Sequence, residues 1–234
     1  AGHRELGARA HQVRGFLRPA GHRRDRVIPV RPSKIVCVGR NYVAHARELG
    51  NEVPAVPMLF FKPPSALIGP GEPIVLPPTS TQVEYEAEIG VVIGTRLQRG
   101  TEAEAEQAIG GFVCVNDVTC RDLQKTDGQW GRAKGYDSFC PVGPAVRGGL
   151  DWRALEVVGR VNGQERQRAP ATDMHFKIPF LVSFISGIMT LEPGDLIATG
   201  TPAGVGPLRD GDVVEVEIPG VGVLSNPVRD GTRR

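Results

Sequence analysis

From Lys34 onward the chain is a series of short apolar, β-branched runs broken by Gly and Pro. The runs KIVCVG (34–39), PMLFFK (57–62), PIVLP (73–77), VEYEAEIGVVIG (83–94), GFVCVNDV (111–118), EVVGRVNG (156–163), DLIATG (195–200) and DVVEVEIPGVGVL (212–224) each predict a strand. Helical signals are fewer. In TEAEAEQAIGG (101–111), Thr101 followed three residues later by Glu104 has the form of a capping box, with Gly110 as the stop. The stretch PFLVSFISGIMTL (179–191) predicts a second helix. The pattern is that of one β-rich α+β domain over residues 34–234, and the 30 Gly and 20 Pro of the whole chain fit its many tight turns.

Residues 1–33 differ. They show no helical or strand period and hold eight Arg against two acids, so they predict an irregular Arg-rich lead-in. That segment carries a net +6, which leaves −4 on the rest of a chain whose formal charge is +2. A slightly acidic body argues against a nucleic-acid partner, which usually meets a basic stripe on the folded domain. No apolar run approaches the roughly 18 residues of a membrane span. No secretory signal pattern is evident, so the expected location is the cytoplasm. Cys37, Cys114, Cys120 and Cys140 have no C-x-x-C spacing and are expected to be reduced thiols.

The run at 83–94 poses a problem. Val83, Tyr85, Ala87, Ile89, Val91 and Ile93 share one face of a strand and predict core, whereas Glu84, Glu86 and Glu88 share the other. Carboxylates ~7 Å apart at an effective dielectric near 20 repel by ~2 kcal/mol. Either water covers that face or something positive does. Beyond Glu88 the run is small and apolar on both faces, as in a central strand, and a second apolar run stops at Asp117. A carboxylate ending a buried run must be paired or bound to a metal. Two glutamates and an aspartate offer only oxygen, which suits Mg²⁺ or Mn²⁺ with water completing the shell, or Ca²⁺; no nearby His or Cys points to zinc.

The motifs CVGRNYVAHARELG, LFFKPPSALIGPG, VEYEAEIGVVIG, NDVTCRDLQ, AKGYDSFCPVGP and LEPGDLIATGTPAGVGPL, in that order over residues 33–228, together resemble the fumarylacetoacetate hydrolase family. The resemblance implies a mixed β-sheet roll, usually a homodimer, holding one Mg²⁺ (or Mn²⁺) through Glu86, Glu88 and Asp117. It leaves Glu84 out of the ligand set, facing solvent. Lys134 corresponds to the family's active-site lysine; without the resemblance it reads as a surface lysine. Arg121 and Gln124, three apart at a helix start, fall where the family lines its substrate pocket, with a salt bridge from Arg121 as the competing reading. His45 and Glu48 are also three apart, and in the family such a dyad activates water or relays protons; otherwise the pair reads as surface. The segment ATGTPAGVGP (198–207) is neither a P-loop nor a dinucleotide fingerprint. It is a plain turn or, through Thr199, Thr201 and backbone N–H groups, a carboxylate cradle, and the resemblance favours the cradle.

The implied substrate is a small 2-oxo or enol dicarboxylate. The implied chemistry runs through a metal-bound enolate, which serves isomerisation, decarboxylation and hydrolysis alike. The expected activity is that of a 2-hydroxyhepta-2,4-diene-1,7-dioate isomerase / 5-oxopent-3-ene-1,2,5-tricarboxylate decarboxylase, with acylpyruvate hydrolase or oxaloacetate decarboxylase as the alternative. A silent metal-stabilised binding protein would keep the acids without needing Lys134 or His45. A nucleic-acid module would act through residues 1–33.

Overall fold

The computed structural model describes residues 30–232. Strands and helices are numbered along the chain, and among the described residues the strands form three sheets. The largest runs β2 (Met58–Lys62), β1 (Ile35–Gly39), β12 (Leu196–Ala198), β6 (Ala87–Ile93), β7 (Ile109–Asn116), β9 (Cys140–Arg147), β3 (Leu67–Ile68). The second runs β11 (Gln164–Pro170), β10 (Glu156–Val161), β14 (Val213–Ile218), β15 (Gly222–Asp230), β4 (Ile74–Leu76). The smallest runs β13 (Gly206–Pro207), β5 (Val83–Tyr85), β8 (Thr119–Cys120). Pairings β1–β12, β3–β9 and β15–β4 are parallel and the others antiparallel, a curled mixed sheet with few helices. The helices are α1 (Val43–Glu48), α2 (Glu102–Ala108), α3 (Arg121–Thr126), α4 (Gly131–Lys134) and α5 (Ile178–Ile188).

All eight predicted runs contain strands. β6 is the middle strand of the large sheet and is buried along its whole length. Its odd-numbered face, Ala87 to Ile93, packs with Val157, Val216 and Leu224 of the second sheet and with Leu181, Val182 and Ile185 of α5. The opposite face joins Ile35, Cys37, Val115, Cys140 and Ala198. Gly90 is required there, because a Cβ would stand 2.5 Å from a Val115 methyl.

The capping box at Thr101 and Glu104 is present. Gly110, however, is not a helix stop: α2 ends at Ala108, and the chain enters β7 at once. Gly110 lies where that strand crosses Gly94, and a Cβ on it would come within 2.8 Å of the Gly94 Cα. The four cysteines are free and buried. Of the Arg-rich lead-in only its end is described. Val30 packs against the core, and Ser33 is tied by its N–H and hydroxyl to Asp195. The rest of that segment lies outside the described residues. No described helix is long and apolar enough to cross a membrane.

Candidate active site

The run at 83–94 is not one strand. β5 belongs to the small sheet and β6 to the large one, and Glu86 occupies the break between them. The Glu86 N–H donates to the side-chain carbonyl of Asn116 (3.0 Å), and the Glu86 carbonyl accepts from the N–H of Asp117 (2.9 Å). This crossing brings Glu86 and Asp117 backbone to backbone, while Glu88 follows inside β6. One carboxylate oxygen from each of Glu86, Glu88 and Asp117 can be chosen so that all lie within 4.8 Å of one another, and all three residues are buried.

Cations cover the acidic face. Lys134, at the end of α4, donates from Nζ to Glu86 Oε2 and Asp117 Oδ2, each at 2.8 Å. Arg121, opening α3, donates Nε to Glu84 Oε2 (2.7 Å) and an Nη to Glu86 Oε1 (2.6 Å). Glu84 is therefore not solvent-facing, as the resemblance implied. It is 5% exposed and held by Arg121 and by the Gln82 amide. Of the two coverings the alternation left open, water or something positive, the structure has the positive one, because Arg121 arrives from another element.

Lys62 escaped the sequence reading. It ends β2, is 1% exposed, and places Nζ 2.6 Å from Asp117 Oδ1 while donating to the carbonyls of Val118 and Lys134. Asp117 Oδ1 accepts no hydrogen bond and has the Lys62 ammonium as its ion-pair partner. A lysine closing the apolar run MLFFK was the available signal, the counterpart of Asp117 closing its own run.

Burial works to raise the Glu86 carboxyl, but Lys134 and Arg121 outweigh it and hold the group well below the usual carboxylate range. Glu88 goes the other way. Burial, then the charges of Asp117 and Glu86, push it well above that range, and its one hydrogen bond is from the Gly200 N–H (2.8 Å). Burial would lower the Lys134 ammonium, but Asp117 and Glu86 overcome it and raise the group. Around this point four buried acids (Glu84, Glu86, Glu88, Asp117) face three buried bases (Lys62, Arg121, Lys134). A compact, all-oxygen trio in which Glu88 meets no Lys or Arg fits a hard divalent cation.

A cavity of about 490 Å³ opens onto Glu86 and Glu88. Glu86, Glu88, Lys134, Arg121, Gln124, Thr201, His45 and Glu48 all line it, whereas Asp117 and Thr199 do not. His45 and Glu48 do form a short helix, α1, with Nδ1 of His45 3.3 Å from Glu48 Oε2. Both Glu48 oxygens also accept from the Gly204 N–H, at 3.0 and 3.1 Å. An Nδ1–H turned to the carboxylate leaves Nε2 as the imidazole's basic atom.

Two expectations meet contacts within the protein. Thr199 donates its hydroxyl proton to the carbonyl of Ile89, and Thr201 donates its own to that of Ala87. A hydroxyl has one proton, so neither is offered to a substrate carboxylate. Residues 199–201 instead extend β12 alongside β6 by side-chain bonds, and the loop's Gly200 and Gly204 N–H groups serve the protein's own Glu88 and Glu48. The loop is a carboxylate cradle, but for internal carboxylates. Arg121 likewise gives three donors to Glu84, Glu86 and Gln124, so the competing salt-bridge reading accounts for its position.

The sequence profile described as "Fumarylacetoacetate (FAA) hydrolase C-terminal" matches residues 34–229. A solved 5-carboxymethyl-2-hydroxymuconate delta-isomerase from Mycobacterium smegmatis superposes with a TM-score of 0.81 at 46% identity, covering 87% of this chain and 81% of its own. A 2-hydroxyhepta-2,4-diene-1,7-dioate isomerase from Mycobacterium marinum gives the same TM-score and identity over 87% and 77% of the two chains. A mitochondrial oxaloacetate tautomerase of Arabidopsis thaliana is 43% identical over 195 residues, 81% of this chain and 87% of the relative.

Proposed function

The chain belongs to the fumarylacetoacetate hydrolase family, and from that premise we propose that it is a divalent-metal-dependent isomerase of an enolisable 2-oxo dicarboxylate. The proposed activity is of the 2-hydroxyhepta-2,4-diene-1,7-dioate isomerase type, with decarboxylation of a 5-oxopent-3-ene-1,2,5-tricarboxylate as its companion reaction. The observation that carries this reading is the convergence of Glu86, Glu88, Lys134, His45 and Glu48 on one cavity, with Asp117 completing the oxygen trio. Three similar proteins lend support: two are named as isomerases and one as a tautomerase, and each such reaction relocates a proton and a double bond.

Glu86, Glu88 and Asp117 would hold Mg²⁺ or Mn²⁺, which when bound polarises a keto oxygen as a Lewis acid. The remaining work falls to the chain. His45 Nε2 takes the proton from the carbon next to the keto group, and Glu48 stabilises the imidazolium through Nδ1–H. The C–H electrons form a C=C bond as the C=O electron pair moves onto the keto oxygen. His45 Nε2 then returns the proton at the far end of the conjugated system, which completes the shift of the double bond. Lys134 has two N–H bonds committed to Glu86 and Asp117, which leaves its third for that oxygen. The His45–Glu48 pair also suits activation of water, which favours acylpyruvate hydrolysis as a second reading.

The test is a side-by-side product assay on the hydroxy-dienoate, oxaloacetate enol and acetylpyruvate after EDTA treatment and after Mg²⁺ or Mn²⁺ is restored. Isomerisation or tautomerisation that returns only with the metal is expected. Full activity in the stripped protein, or hydrolysis as the dominant reaction, overturns the assignment.

A further inference from the structure

Four Lys and Arg side chains line the cavity: Arg40, Arg121, Lys125 and Lys134. They fall into two pairs. Arg121 and Lys134 are buried and engaged by Glu84, Glu86 and Asp117. Among the described residues, Arg40 and Lys125 have neither an ion pair nor a side-chain hydrogen bond. Their charge is uncommitted.

Arg40 is also held oddly. Its φ is +57°, the left-handed region that a residue with a side chain rarely adopts and that concentrates at functional positions. It directly follows Gly39, where a Cβ would stand 2.9 Å from the Trp130 ring, so the end of β1 is shaped to let the indole lie against backbone. Trp130 meets Phe60 edge to face, centroids 5.2 Å apart, and both rings line the same cavity.

Resting on the isomerase reading above, we propose that Arg40 and Lys125 bind the second carboxylate of the substrate and make the site selective for 2-oxo dicarboxylates over 2-oxo monocarboxylates. Trp130 and Phe60 supply the flat wall for the carbons between. At the acidic end Arg121 is taken up by the protein's own carboxylates and the third N–H of Lys134 faces the keto oxygen, so a distal carboxylate finds no Lys or Arg to spare there. Three acids share the cavity wall: Glu86 and Glu88 belong to the oxygen trio, and Glu48 is turned toward the Gly204 N–H and His45. A planar conjugated chain with anions at both ends matches a cavity with an oxygen trio at one place, aromatic rings on its wall, and two uncommitted cations.

The experiment is calorimetric binding to the Mn²⁺-loaded protein of 2-oxobutyrate against 2-oxoglutarate and 2-oxoadipate, non-reacting probes of one and two carboxylates. The wild type should bind at least one diacid about tenfold tighter than the monoacid, and Arg40→Gln/Lys125→Gln should lower that ratio to about twofold or less. Arg40→Lys, which keeps the charge, should retain most of the preference, and the far-UV spectrum and melting of each variant check the fold. A wild type that binds mono- and diacids alike, or a ratio that survives in the double variant, overturns this proposal while leaving the isomerase reading intact. Binding of none of the three acids by the Mn²⁺-loaded wild type overturns the isomerase reading and this proposal with it.

Discussion

Glu84→Gln isolates the acid expected to face solvent that instead meets Arg121. The substitution keeps the side chain's size and one carbonyl oxygen for Arg121 Nε, but removes the negative charge from a pair in which Glu84 is 5% and Arg121 3% exposed. Breaking a buried pair outright costs about 3–5 kcal/mol. A hydrogen bond from the guanidinium to the new amide recovers about 1.5–3 kcal/mol of that. Repulsion of about 2 kcal/mol between Glu84 and Glu86, estimated at ~7 Å and an effective dielectric of 20, is also relieved, though Arg121 between them already screens most of it. The expected net loss is about 2 kcal/mol, equivalent to about 4–8 °C of melting temperature for a chain of this size.

Metal affinity should change as well. With Glu84 neutral, Arg121 is left to Glu86 alone and competes with a cation for the same carboxylate, so Mn²⁺ should bind about tenfold more weakly. Urea unfolding of the stripped protein reads the first effect, and Mn²⁺ titration by electron paramagnetic resonance reads the second. A double-mutant cycle with Arg121→Gln should return a coupling above about 1 kcal/mol, since the two side chains touch. If Glu84→Gln unfolds within about 0.5 kcal/mol of wild type and binds Mn²⁺ unchanged, Glu84 faces water and the ion-pair account is wrong.

Metal affinity should rise with pH. Glu88 has its folded-state pKa raised, so between the unfolded value of about 4.3 and the folded one only the folded state keeps the proton; the stabilisation is full below the unfolded value and falls as pH rises through the folded one. A cation must displace that proton, so affinity should climb by up to about tenfold per pH unit below the folded-state value, and a pH-independent calorimetric affinity refutes this. Gly200→Ala places a Cβ 2.7 Å from Asn41 Cβ at a φ of +100° and disturbs the N–H that holds Glu88, so melting should fall by about 4 °C or more; an unchanged melting curve counts against the tight approach. Asp195→Ala leaves the N–H groups of Ser33, Lys34 and Glu192 without their acceptor and removes the partner of the Lys34 ammonium. Urea unfolding should show a loss of about 3 kcal/mol or more, and a loss below about 1 kcal/mol would show that water replaces the carboxylate.

Much of the fold was legible because burial writes itself into period. β6 carries an apolar face at every second residue, and the Thr101–Glu104 box is a local signal that needs no partner. What stayed hidden depends on partners. β11, QERQRAP, is an edge strand whose residues are mostly exposed, so nothing selected apolar side chains there. β9, CPVGPAVR, reads as a turn because it holds two prolines and a glycine, yet it pairs with β7 on one side and β3 on the other. The switch of sheet at Glu86 leaves no trace in the pattern, because β5 and β6 keep the same alternation across the break. Lys62 reads as an ordinary charge at the end of its run and Arg121 as a pocket residue or an ion-pair partner, and only tertiary packing brings them to Asp117 and Glu84.

The charge arithmetic of the site then distinguishes its carboxylates. Glu84, Glu86 and Asp117 each have a Lys or Arg in ion-pair contact. Glu88 has a single backbone N–H in its place, although it is 1% exposed, stands beside two other acids and lies in the middle strand of the large sheet. A buried carboxylate in that position must either keep a proton or receive a cation from outside the chain. Lysine in place of Gly200 or of a neighbour would neutralise it permanently and close the oxygen trio. A backbone N–H gives direction without a full charge, so it aims Glu88 while leaving the local deficit intact. The same economy appears at Glu48, which the Gly204 N–H orients without neutralising, so that it can still answer a positive charge forming on His45. The glycine-rich loop therefore differs in kind from Lys62, Arg121 and Lys134. Those three side chains meet their carboxylates in direct ion pairs, whereas the loop holds in place the two carboxylates that, under the proposed mechanism, would meet the cation and the imidazolium.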